Sequence, residues 1–107
     1  MNFQEIHELL KKHDTIDEED TASLETYWED LSNLLASDLD SALSFLKSEC
    51  TEAEIVWISE VFDELVQKTQ SQPLIKALRE TIARFRQADN EYRLAASLNI
   101  AVESFLQ

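Results

Sequence analysis

A chain of 107 residues fits one domain, spanning residues 1–107, and is too small for two independent cores. Its 22 acids against nine Lys and Arg give a net charge of −13, which argues against DNA or RNA as a direct ligand because phosphate binding depends on cations. The apolar fraction of 44%, with two Trp, two Tyr and five Phe, excludes a disordered acidic tail, which would be depleted in aromatics. The charge is also uneven. From Met1 to Gln72, 18 Asp and Glu stand against four Lys, a balance of −14; from Pro73 to Gln107, four acids stand against five bases, a balance of +1. Such a surplus opposes compactness by self-repulsion and sets up a field that attracts basic partners. It points to binding rather than catalysis.

No apolar run approaches the roughly 18 residues of a membrane span, and Met1 to His13 lack the basic start and apolar stretch of a secretory leader. A lone Cys50 cannot form an internal disulfide, so nothing requires an oxidising compartment and a cytoplasmic protein is expected.

Glycine is absent and proline occurs once, which removes tight glycine hairpins and glycine-rich phosphate loops. Apolar residues recur every three to four positions, so the expected fold is all-α with about six helices. The first runs from about Asn2 to His13 on Phe3, Ile6, Leu9 and Leu10. Four successive acids, Asp17 to Asp20, then suit a helix N-terminus, where the macrodipole favours negative charge. The second helix, about Asp20 to Ser37, carries Leu24, Trp28, Leu31 and Leu35 as its stripe; the third, about Leu39 to Glu49, uses Leu39, Ala42, Leu43 and Leu46. Thr51 and Glu54 match a capping box, which starts a fourth helix reaching about Thr69. Its stripe of Ile55, Ile58, Phe62, Leu65 and Val66 is widened by Val56, Trp57 and Val61, as in a helix with neighbours on more than one side. Pro73 in a first turn opens the fifth, with Leu74, Ile75, Leu78, Ile82 and Phe85, and the last runs from about Asn90 to Leu106. Two arrangements fit: a compact helical bundle, or a short HEAT/armadillo-like stack of antiparallel helix hairpins, the latter favoured by the wide middle faces.

Catalytic chemistry finds few candidates. His7 and His13 are the only imidazoles and read as surface residues; no Ser or Cys has a nucleophile motif, and Cys50 beside the Thr51 cap reads as a small, semi-buried joint residue. Asp17, Glu18, Glu19 and Asp20 lack the alternation, central glycine and distal Glu of a calcium loop, and zinc or di-iron spacings are missing, so neither metal nor cofactor is expected. Acid–aromatic neighbourhoods are the candidate partner-binding sites. On the second helix Tyr27 lies beside the core residue Trp28, with Glu25, Glu29 and Asp30 outward. On the fourth, Trp57, Glu60, Val61 and Glu64 fall at i, i+3, i+4 and i+7, adjoined by Asp63. Aromatic anchors rimmed by carboxylates suit an Arg- or Lys-rich partner.

The stretch Ser48-Glu-Cys-Thr-Glu-Ala-Glu-Ile-Val-Trp-Ile-Ser-Glu-Val-Phe-Asp-Glu-Leu65, followed by Gln67-Lys-Thr-Gln-Ser-Gln-Pro-Leu-Ile-Lys-Ala-Leu78, resembles the small acidic all-helical immunity proteins of bacterial polymorphic and contact-dependent growth-inhibition toxin systems. The likeness covers about the C-terminal two-thirds and lies in pattern and character rather than in a signature. It implies a cytoplasmic antitoxin that binds and occludes one cognate basic toxin domain, often a nuclease. The alternative is an acidic helical adaptor, secretion chaperone or regulatory module that holds a basic protein segment. Oligomeric state stays open, since a wide apolar face would equally pack against a second copy.

Overall fold

With no glycine and one proline, the helices must be started by polar side chains, and the computed structural model, which describes residues 2–107, shows how. Asn2 caps α1 (Phe3–Lys11), which tightens into a short 3-10 helix (Lys12–Thr15). Asp20 caps α2 (Thr21–Ser37) and Asp38 caps α3 (Leu39–Ser48), each carboxylate accepting from a backbone N–H and from the hydroxyl of Ser23 or Ser41. Those serine bonds, the hydroxyl first, hold both carboxyl groups below the usual range. Thr51 and Glu54 form the reciprocal capping box that opens α4 (Glu52–Ser59). After α5 (Phe62–Thr69), Ser71 caps α6 (Gln72–Arg84), with Pro73 in its first turn, and α7 (Arg86–Tyr92) and α8 (Leu94–Phe105) complete the chain.

Eight α-helices among the described residues therefore replace the roughly six expected. One difference is the break between α4 and α5. The Ser59 hydroxyl bonds the Val56 carbonyl, the acceptor that the Glu60 N–H would use in a continuous helix, and the Glu60 and Val61 N–H groups bond three residues back instead. Four β-branched residues between Ile55 and Val61 make that segment a weak helix former. The other difference lies near the C-terminus, where the last expected helix is split by Arg93 in the left-handed conformation (φ 56°) and α7 starts upstream of Asn90. Gln70 ends α5 in the same conformation (φ 48°). Both are positions that glycine would fill at lower conformational cost.

The molecule measures 31 × 30 × 27 Å with a radius of gyration of 12.8 Å, so the helices form a compact globule. Its most extensive packings join α3 to α6 and α5 to α8, elements distant in sequence. Arg84 of α6 donates to the carbonyls of Leu46 and Lys47, placing a cation at the C-terminus of α3. Gln70 both donates to the Phe105 carbonyl and accepts from the Gln107 N–H, which ties the end of the chain to α5. Phe45, Phe62, Ile6, Leu31, Ile58, Leu78 and Leu94 are among the fully buried side chains of one core, to which α7 adds Ala88. Among the described residues no helix is long and apolar enough to cross a membrane.

Arg93→Gly should raise stability by about 0.5–1 kcal/mol, since relief of the left-handed strain outweighs the added unfolded-state entropy. Urea unfolding measures it, and a loss of stability would show that the Arg93 side chain contributes more than its backbone costs.

Candidate partner-binding surface

The N-terminal segment is joined to α4 by two histidine–glutamate contacts, each 47 residues apart in sequence. His7 Nδ1 lies 2.6 Å from Glu54 Oε2, whose other oxygen closes the capping box, and His13 Nε2 lies 2.8 Å from Glu60 Oε2. An ionised carboxylate only accepts, so each ring nitrogen donates. Because position 7 meets 54 and position 13 meets 60, α1 and α4 run in the same sense. These histidines are half-buried rather than free surface residues: His7 packs edge-on to Phe45, and His13 stacks on Trp57 with ring centroids 5.5 Å apart.

Glu60 is the centre of this junction. Its second oxygen accepts from the Trp28 indole N–H at 2.9 Å, so one side chain ties together the 3-10 helix, α2 and the corner between α4 and α5. Trp28 is half-buried, whereas its neighbour Tyr27 is 3% exposed, its hydroxyl donating to the Leu10 carbonyl at 3.2 Å. Burial first, then the charges of Glu60 and Asp14, push the Tyr27 phenol up, so it stays protonated and keeps donating. Trp28 packs against the core as its place on the helix stripe suggests, but Tyr27 is buried deeper still and leaves the candidate surface, because the α1 backbone rather than solvent faces it.

Of the other candidates, Glu29 is occupied. With Ser32 and Asn33 it surrounds the Lys68 ammonium at 3.3, 2.7 and 2.8 Å, locking α5 to α2 over the fully buried Ser32. Glu64 does not continue the Trp57–Glu60 stripe outward, because the corner intervenes; its Oε2 is shielded from solvent and has no hydrogen-bond partner among the described residues. Glu25, Asp30 and Asp63 are exposed with no cation in ion-pair contact among the described residues, and Trp57 is half-buried. The surface therefore retains Glu25, Asp30, Asp63 and Trp57 as accessible groups, while Glu29 and Glu60 are held by internal partners.

Cys50 is 6% exposed, and burial, reinforced by Glu54, pushes its thiol up to about 12. It is a neutral joint residue rather than a nucleophile at physiological pH. The sequence reading missed the two histidine–glutamate contacts and Tyr92, which is 54% exposed at the end of α7 and lines a notch with Trp57. Comparison with family models, curated proteins and solved structures finds no match to this chain.

Glu60→Ala should cost about 1 kcal/mol, between the value of an exposed ion pair and that of a buried charge-assisted hydrogen bond. Urea unfolding reads the loss, and the Trp28 indole N–H resonance should move. Unchanged stability with an unmoved resonance would remove Glu60 from the junction.

Proposed function

We propose that this chain is a non-catalytic binding protein whose unneutralised carboxylates receive a basic protein domain, and that it acts as a cytoplasmic immunity protein neutralising a cognate toxin of the nuclease class. The observation that carries the reading is electrostatic. Net charge is −13, and among the described residues only Lys68 and Lys76 form ion pairs with acids, apart from the two histidines. Glu25 and Asp30 on α2 and Asp63 on α5 stay open to solvent, and Trp57 and Trp28 are half-buried. A field of that sign accelerates encounter with a basic surface and rejects acidic ones, while buried anchors supply residence time. The helical pattern of residues 48–78 supports the immunity reading through its likeness to that class of antitoxins.

Co-expression with the C-terminal domain of the protein encoded immediately upstream tests it. The upstream domain should be toxic alone and harmless with this chain; absence of toxicity, or toxicity that this chain does not change, refutes the immunity role. For the purified pair, raising salt from low to near-molar should slow association by on the order of tenfold or more while dissociation changes little. An association rate indifferent to salt would remove steering.

A further inference from the structure

Between α4 and α7 lies an open notch of about 270 Å³ whose walls combine Trp57 and Tyr92 with the carboxylates of Glu52 and Glu91. Val56 and Ala88 supply apolar surface between them, and no Lys or Arg lines it. Glu52, Glu91 and Tyr92 are exposed, and among the described residues none has a side-chain hydrogen bond or ion pair. Tyr92 and Ile100 are the two large apolar side chains most open to solvent. Trp57, by contrast, is already positioned: His13 stacks on its indole and is itself held by Glu60. The notch thus has one fixed aromatic wall.

Its chemistry selects among occupants. The volume lies at the small end of the roughly 300–1,000 Å³ of small-molecule sites, enough for a single long side chain and too small for a helix. Two carboxylates without a lining cation disfavour an anion, and the described residues contain no group of three or more His, Cys, Asp or Glu arranged to hold a metal. A cation with an apolar stem satisfies every wall. Guanidinium fits better than ammonium, because it is planar, stacks on aromatic rings and donates in a fork to carboxylates, and its weaker hydration lowers the cost of leaving water.

We propose that this notch is the anchor site for one arginine side chain of the basic partner, its guanidinium between Trp57 and Tyr92 and its N–H groups donating to Glu52 and Glu91. The proposal rests on the basic-partner reading and moves the centre of the interface from the α2 acids to the seam between α4 and α7. Glu25 and Asp30 then steer, whereas the notch retains.

The test uses the full chain and two probes. N-acetyl-arginine methylamide, titrated with detection of the indole N–H and backbone resonances, should shift Trp57 and α7 saturably, and its citrulline counterpart, equal in shape but uncharged, should not. Glu52→Gln with Glu91→Gln, and separately Tyr92→Ala, should each weaken binding about fivefold or more, whereas Glu103→Gln at an exposed position of α8 should leave it unchanged. Equal shifts from citrulline, or shifts confined to other surfaces, would overturn the site. The second probe, a short Arg- and Lys-rich peptide, separates the two levels of the argument. Tight binding to the native chain that weakens in the Glu52/Glu91 variant supports the notch. Equal binding to both overturns the notch while leaving an acidic binding protein, and binding to neither overturns both.

Discussion

Holding a charge of −13 in a globule about 30 Å across is the constraint on which the rest of this structure depends. Mutual repulsion of the acids opposes compactness, and two lysine ion pairs cannot offset it, since exposed pairs contribute roughly 0–1 kcal/mol each. The opposing term is apolar burial in one core to which seven of the eight helices contribute fully buried side chains. Carboxylates consequently fall into distinct groups. Asp20, Asp38 and Glu54 satisfy helix N-termini, Glu54 and Glu60 hold imidazoles, Glu29 holds Lys68, and others, such as Glu25, Asp30, Glu52, Asp63 and Glu91, have no ion-pair partner among the described residues. The last group is where a partner would gain most, because binding a cation there relieves a strain that folding leaves in place.

The corner at Ser59 to Val61 turns that distribution of charge into a shaped surface. By ending α4 it lets α5 pack on α8 and α2, and it places Glu60 where a carboxylate can meet both His13 and Trp28. His13, fixed in turn, stacks on Trp57, so the ring at the notch is held before any partner arrives. Preorganisation of this kind lowers the ordering cost of binding. The arrangement connects a local hydroxyl–carbonyl bond in one helix to the geometry of an anchor several residues away.

Much of this was legible because it is local. The capping box at Thr51 and the acids leading to the Asp20 cap announce helix starts by their own chemistry, and the helical period places Glu25, Glu29 and Asp30 outward. What was not legible is decided elsewhere in the chain. Tyr27 and Trp28 are adjacent aromatics, and only the Leu10 carbonyl, supplied by another helix, determines that Tyr27 goes inside. His7 and His13 looked like surface residues because their glutamates lie 47 positions away. The break in the long fourth helix carries no glycine or proline to mark it, and Arg93 occupies a left-handed position that a glycine would have advertised. Tyr92 escaped notice for the same reason, since the split at Arg93 makes it the last residue of a separate helix beside α4.

The claim that the acid excess is uncompensated in the free protein can be tested without any partner, by urea unfolding of the full chain at low salt and again in near-molar NaCl. Screening shortens the reach of repulsion between exposed charges, so stability should rise by about 1 kcal/mol or more with salt. Stability that is flat, or that falls as salt is added, would mean that the carboxylates are balanced internally and would contradict an acidic surface held open for a basic partner.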